Sequence, residues 1–289
     1  MIWVSLTALG KHDMEKTSPK SEFFSLAIDG AIARLSLANV AQANCLNDAF
    51  WAELPVLVRY IDQNPAIRVL VITGEGKHFC AGMDLSSFEF ISDIAGGEAG
   101  RGAFMFYNRI RELQAAFDVL ESSRLPIVAA VHGACIGGAI DFLCACDVRI
   151  AAKDTRFSVE EINVGMAADV GTLQRLPRLI PPGIAKELAF TGRRFGPDEA
   201  LGWGFVNAVH EDRETTVAAA MELAASIASK SPLALAGTKR AINYAMDHSV
   251  ADGLEQVATW NAGMLRPQDL NAALSALKEK RRVEFADLR

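Results

Sequence analysis

Apolar and polar positions change period several times along the chain, and each change marks an element. In residues 23–37, FFSLAIDGAIARLSL, apolar side chains alternate on either side of Asp29-Gly30, the pattern of a β-hairpin closed by a tight turn. Asn47 then stands where a cap belongs, ahead of DAFWAELPVLVRYIDQ, whose Phe50, Leu54, Leu57, Val58 and Ile61 fall on one helical face. Pro55 lies inside that segment and predicts a kink or a late start. The run RVLVITG, residues 68–74, is apolar without alternation and ends in a turn signal, as a parallel strand buried on both faces does. A loop, GEGKHFCAGMDLSSF, follows. A stretch with Gly96, Gly97, Gly100 and Gly102 then reads as a mobile linker, before a helical period from about residue 101 to 121.

The arrangement repeats. Pro126 opens IVAAVHG, a second buried strand, and GACIGGAIDFLCACD turns on its glycines into a helix. DVRIAA and RFSV read as further short strands, so strand, helix and strand alternate as in βαβ units. From Thr172 onward the periods are helical, in TLQRLPRLI, IAKELAFTG, PDEALGWG and three longer segments after Arg213, broken only by FVNAV. The expected organisation is an N-terminal extension over 1–20, an α/β core over 21–200 and a helical region over 201–289.

Composition narrows the function classes. With 289 residues, 51% of them apolar, the chain can bury a sizeable core. A net charge of -6 with mixed signs lacks the basic face of a nucleic-acid binder. No apolar run approaches the ~18 residues of a membrane span. MIWVSLTALGKHDMEK has no basic stretch before its short apolar run, and the final ADLR is not a Ser-Lys-Leu signal; a cytoplasmic location is expected. The five cysteines include no Cys-x-x-Cys pair, which favours buried thiols over disulfides or zinc. The histidines show no ligand spacing, so no metal is expected, and His132 reads as a hydrogen-bonded packing residue. Serine-hydrolase and phosphate-loop motifs are absent, and Gly74-Glu75-Gly76 lacks the third glycine of a dinucleotide fingerprint.

Two glycine-bearing turns remain, FCAGMDL and CIGGAID, each following a buried strand. Singly they read as tight turns. Together they can bring two backbone N–H groups onto one oxygen, as an oxyanion hole requires. FCAGMDL and HGACIGGAIDFLCACDVRIA resemble the two signature segments of the crotonase superfamily, the enoyl-CoA hydratase/isomerase family, and the likeness runs from about Ser25 through the C-terminal helices. The resemblance implies an α/β fold, a crotonase-type spiral of repeated ββα units with a helical C-terminal region that covers the site and mediates assembly into a homotrimer or homohexamer. It also implies an acyl-CoA thioester substrate, with coenzyme A as the substrate's handle rather than a cofactor. The oxyanion hole would be the N–H groups of Met83 and Gly138, with Ala81, Gly82 and Gly137 against the substrate.

Acids distinguish members of this family. Hydratases carry glutamates at the positions held here by Asp141 and Glu161, so the first departs from the hydratase pattern by one methylene. A third acid, Asp169, lies in AADVGTLQRLP, a run that resembles the branch moving the double bonds of a 3,5-dienoyl-CoA to the 2,4 positions. That shift removes a proton at C2 and adds one at C6, a task for one carboxylate and one carboxylic acid in an apolar lining. The resemblance makes Glu161 and Asp169 that pair, with Asp141 assisting. We place Asp169 at C2 and Glu161 at C6; the reverse satisfies the same sequence. A 2-enoyl-CoA hydratase is the alternative, and a non-catalytic scaffold would need none of the acids. Glu160 reads as a solvated or salt-bridged neighbour and Asp84 as structural. Phe104, Phe106 and Phe117 read as core or acyl-pocket wall, and KEKRR, 278–282, as a contact for the CoA phosphates or an exposed helix end.

Overall fold

The computed structural model describes residues 18–84 and 98–288; the extension read over 1–20 lies almost wholly outside these, as do Gly96 and Gly97. Its strands are β1 (Phe24–Asp29), β2 (Ile32–Leu37), β3 (Val69–Gly74), β4 (Ile127–Val131), β5 (Ala134–Ile136), β6 (Val148–Ala152), β7 (Arg156–Ser158) and β8 (Ala208–His210). Its helices are α1 (Asp48–Gln63), α2 (Ala99–Ser122), α3 (Gly138–Cys144), α4 (Thr172–Leu179), α5 (Pro182–Thr191), α6 (Pro197–Trp203), α7 (Arg213–Ala228), α8 (Pro232–Ala245), α9 (Val250–Met264) and α10 (Pro267–Lys278).

The expected hairpin is β1 and β2, antiparallel, with Gly30 at φ 58°, a left-handed conformation glycine adopts without a Cβ penalty. β3, β4, β6 and β8 add in parallel to give the order β1-β2-β3-β4-β6-β8, and β5 with β7 forms a separate parallel pair. Strands β3 and β4 are buried throughout, as their unbroken apolar runs require. Alternation divides them between two cores. Leu35, Leu70, Ile72 and Ala129 face the main core, while Val69, Val71, Val128 and Ile150 pack against Ala220 and Ala224 of α7.

Aromatic packing locks the helices that carry the site. Phe142 of α3 meets Phe50 of α1 edge-on at 5.6 Å and Phe117 of α2 in a stack at 5.5 Å. Such pairs contribute about 0.5–1.5 kcal/mol each beyond the area they bury. Phe117 is therefore core, Phe106 is half-buried, and Phe104 is 66% exposed.

Two local expectations are corrected. Helix α1 runs through Pro55 without a late start: Asn47 accepts from the Phe50 N–H at 3.1 Å, and buried Phe50, Trp51, Leu54, Leu57, Val58 and Ile61 anchor the helix on both sides of the lost hydrogen bond. Gly100 and Gly102 belong to the first turn of α2, not to a linker, because the Glu98 carboxylate caps that helix through the Gly100 and Arg101 N–H groups, both at 2.9 Å. His132 packs as read, buried with Nε2 3.0 Å from the Gly76 carbonyl, and burial holds its pKa down. All five cysteines are unpaired thiols. Residues 278–282 form the exposed end of α10, where Arg281 pairs with Glu279.

Candidate active site

The two glycine turns lie side by side. The chain leaving β3 runs along β5: Phe79 N–H donates to His132 O (2.9 Å), Cys80 N–H to Ala134 O (3.0 Å), and Ile136 N–H to Cys80 O (3.2 Å). On the other edge Leu46 N–H donates to Gly82 O at 2.8 Å and Asp84 N–H to Leu46 O at 3.1 Å. Met83 sits between those two bonds, so its own N–H points away from Leu46. Gly82 has φ 102°, and a Cβ there would come within 2.9 Å of the Ile136 carbonyl oxygen. Gly137, at φ 55°, spends its N–H on Ser158 O (2.9 Å), and α3 starts at the next residue. Neither the Met83 nor the Gly138 N–H meets a protein acceptor among the described residues.

Three carboxyls gather beside these turns. Asp141 stands one turn along α3 from Gly138 and is fully buried. Its Oδ1 accepts from the Thr172 N–H at the start of α4, at 2.5 Å, while Oδ2 has no partner among the described residues. The Thr172 hydroxyl faces the same carboxyl without meeting hydrogen-bond geometry. Glu161 begins a short 3-10 turn after β7, and its carboxyl abuts the glycine turn: a Cβ on Gly137 would lie 3.4 Å from Oε1. Its Oε2 is buried and unpartnered among the described residues. Asp169, half-buried, precedes α4.

The three carboxyls are electrostatically linked. Burial pushes Asp141 up to about 8; the Glu161 charge adds to this, the Thr172 N–H opposes it, and Asp169 contributes a smaller rise. Glu161 is raised first by burial and further by Asp169 and Glu160, against its own backbone N–H. Burial also raises Asp169. Buried carboxyl oxygens left without donors are costly, so sites of this kind are kept for chemistry more often than for stability.

The shift of Asp141 has a measurable sign. Because its folded value is raised, the folded protein holds a proton that the unfolded chain releases. That stabilisation is complete below 3.8 and is lost as pH rises through about 8. Asp141→Asn stays neutral and can still accept from Thr172. Its melting temperature is expected to gain on wild type as pH climbs from about 4 to about 9; a difference independent of pH would contradict the buried neutral acid.

Other expected residues fall outside this cluster. Glu160 is half-buried rather than fully solvated, forms no salt bridge among the described residues, and accepts from Ser158 Oγ (2.7 Å) and Asn163 Nδ2 (3.1 Å). The described residues include no group of His, Cys, Asp or Glu side chains arranged to hold a metal, and no helix among them is long and apolar enough to cross a membrane. A cavity of 520 Å³ opens on the α7 face of the sheet, lined by Ser36, Thr73 and Arg213 among others; none of the three acids borders it. Sequence reasoning gave no role to Leu46, Gln114, Thr172 or Arg175. Leu46 and Gln114 meet the site across a long stretch of chain with no local pattern to announce them; Thr172 and Arg175 lie in the AADVGTLQRLP run, but their partners, Asp141 and the acids of α2, are distant in sequence.

The family pattern described as enoyl-CoA hydratase/isomerase matches residues 27–288. The chain belongs to the enoyl-CoA hydratase/isomerase family. It is 40% identical over 262 residues to the peroxisomal Delta(3,5)-Delta(2,4)-dienoyl-CoA isomerase of Arabidopsis thaliana, covering 90% of this chain and 94% of the relative. The mitochondrial protein of the same name from Homo sapiens is 40% identical over 302 residues, 99% of this chain and 92% of the relative. A short-chain-enoyl-CoA hydratase of Clostridium acetobutylicum is more distant, 32% identical over 89% of this chain and 94% of its own. Among solved structures, an enoyl-CoA hydratase from Bacillus anthracis superposes with a TM-score of 0.82 at 31% identity, covering 91% of this chain and 99% of the other. Family membership confirms the crotonase fold class. The cytoplasmic expectation does not stand, since these dienoyl-CoA isomerases are named peroxisomal and mitochondrial. It rested on two signals being absent, and neither is required for import into a mitochondrion.

Proposed function

We propose that the chain is a dienoyl-CoA isomerase, converting a 3,5-dienoyl-CoA to the 2,4-dienoyl-CoA by proton transfer between C2 and C6. The observation that carries this reading is the third acid: Asp169 lies within electrostatic reach of both Asp141 and Glu161, beside two N–H groups that meet no acceptor among the described residues. Relatives named for this activity are also more similar to the chain than the hydratase.

In this mechanism the thioester oxygen lies between the N–H groups of Met83 and Gly138, with Ala81, Gly82 and Gly137 against the substrate. Loss of the C2 proton puts negative charge on that oxygen, where each preorganised donor contributes about 3–4 kcal/mol. The conjugated system then takes a proton at C6. Asp141, neutral at pH 7 by virtue of its raised value, keeps negative charge in the pocket low. One of Glu161 and Asp169 can then be ionised while the other holds a proton. Contact of the Glu161 carboxyl with Gly137 favours Glu161 at the thioester end, hence at C2, and Asp169 at C6. This reverses the direction placed on the sequence. Coenzyme A serves as the substrate's handle, and no separate cofactor enters the mechanism.

Deuterium exchange tests the assignment. In deuterium oxide, Asp169→Asn is expected to go on exchanging the C2 hydrogens of a 3,5-dienoyl-CoA while conversion falls, and Glu161→Gln to lose both. Retained C2 exchange in Glu161→Gln would return the base role to Asp169.

The assembly proposed is a homotrimer or homohexamer. It is supported by apolar side chains exposed on the C-terminal helices, including Val250 (79%), Leu254 (63%) and Leu277 (76%). A monomer by light scattering at micromolar concentration would contradict it.

A further inference from the structure

The polar face of α2 grips the segment that carries Asp169. Arg111, Gln114, Asp118 and Glu121 follow one another at helical spacing and so share one side of the helix. Arg111 Nη1 donates to Gln114 Oε1 at 2.6 Å, which fixes the orientation of the amide. The amide NH2 then faces outward and donates to the Asp169 carbonyl oxygen, also at 2.6 Å. Further along the same face, Arg175 of α4 donates through Nη2 to Asp118 Oδ1 (2.6 Å) and through Nε to Glu121 Oε2 (3.0 Å). Gly171 lets that guanidinium cross, since a Cβ there would lie 2.1 Å from Nη1. The segment is held from its other side by the bond from Thr172 N–H to Asp141.

We propose that Gln114 is a positioning residue for Asp169. It holds the backbone carbonyl of the acid and so fixes the direction in which the side chain leaves the chain. Of the four residues on this face it alone bonds Asp169 itself; Asp118 and Glu121 reach only Arg175, and Arg111 orients the amide. The inference rests on the reading of Asp169 as one half of the acid–base pair. Gln114 never touches the substrate in this account, so its loss acts on the chemical step and not on binding. Displacing a reacting group by about 1 Å can cost a factor of about 10² in rate.

The test is a double-mutant cycle on isomerisation, with melting curves to confirm folding. Gln114→Leu keeps helix propensity but removes the donor. It is expected to lower kcat by about ten- to a hundredfold with KM within about twofold, and to cost nothing further in the Asp169→Asn background. An equal loss in both backgrounds would make Gln114 merely structural, and wild-type turnover in Gln114→Leu alongside an impaired Asp169→Asn would overturn the positioning role alone. Wild-type turnover in Asp169→Asn would instead remove the reading of Asp169 on which the inference stands.

Discussion

Glu161→Gln and Asp169→Asn are each expected to lower turnover of a 3,5-dienoyl-CoA by about two to four orders of magnitude, the range of a positioned acid or base. Both substitutions keep the size of the side chain and remove its ability to exchange a proton. Glu161 Oε2 is buried without a partner among the described residues, so the amide that replaces it disturbs no existing bond of that atom. Asp169 is tied to Gln114 through its backbone carbonyl, which the substitution leaves in place. Folding should therefore survive both changes, and the loss should appear in kcat. Steady-state kinetics on the purified variants decides it; a turnover within threefold of wild type for either would remove that residue from the pair.

Gly82→Ala is expected to be nearly as damaging for a different reason. The backbone there has φ 102°, where an L side chain is strained, and the added Cβ would meet the Ile136 carbonyl oxygen at 2.9 Å. That oxygen belongs to backbone, flanked by the bond from Ile136 N–H to Cys80 O, so it is the Gly82-Met83 peptide that must move. Moving it takes the Met83 N–H off the enolate oxygen, and loss of one such donor costs about 10² to 10³ in kcat. Gly30→Ala supplies the control. Its φ of 58° is also positive, though within the left-handed region and so milder for an L side chain, nothing lies within 4 Å of the new Cβ, and it sits in the hairpin turn away from the site. Gly30→Ala should lower the melting temperature and leave kcat unchanged. Equal activity in the two variants would mean that the Met83 N–H does not serve the reaction.

Local patterns carried most of what the sequence revealed. The hairpin around Gly30, the cap at Asn47 and the buried strands β3 and β4 depend on neighbouring residues, so their period and turn chemistry were readable. The paired glycine turns were also legible, because each follows its strand within a few residues. What escaped was set by contacts between distant segments. Leu46 bridges to Met83, Thr172 bonds Asp141, and Gln114 bonds Asp169; Leu46 and Gln114 have no local feature that marks them, and Thr172, though inside the AADVGTLQRLP run, has nothing local that names Asp141 as its partner. Glu160 shows the same limit: a surface-like acid in the sequence is in fact occupied by Ser158 and Asn163. The approach of the Glu161 carboxyl to Gly137, on which the proposed direction of proton transfer rests, was illegible too, since it is made across the fold.

The hydratase reading differs from the isomerase at one methylene and one extra acid. Asp141 is shorter than the glutamate it replaces, and its Oδ1 is engaged by Thr172, which leaves it poorly placed to hold a nucleophilic water. Weak hydration of a 2-enoyl-CoA is compatible with the site; efficient hydration is not. The most direct measurement is therefore a parallel assay of the purified protein. A 3,5-dienoyl-CoA is followed by the absorbance of the conjugated 2,4-dienoyl product, and crotonyl-CoA by loss of its double bond. Rapid appearance of the conjugated product with slow hydration is the predicted result, whereas brisk hydration without conjugation would contradict the account.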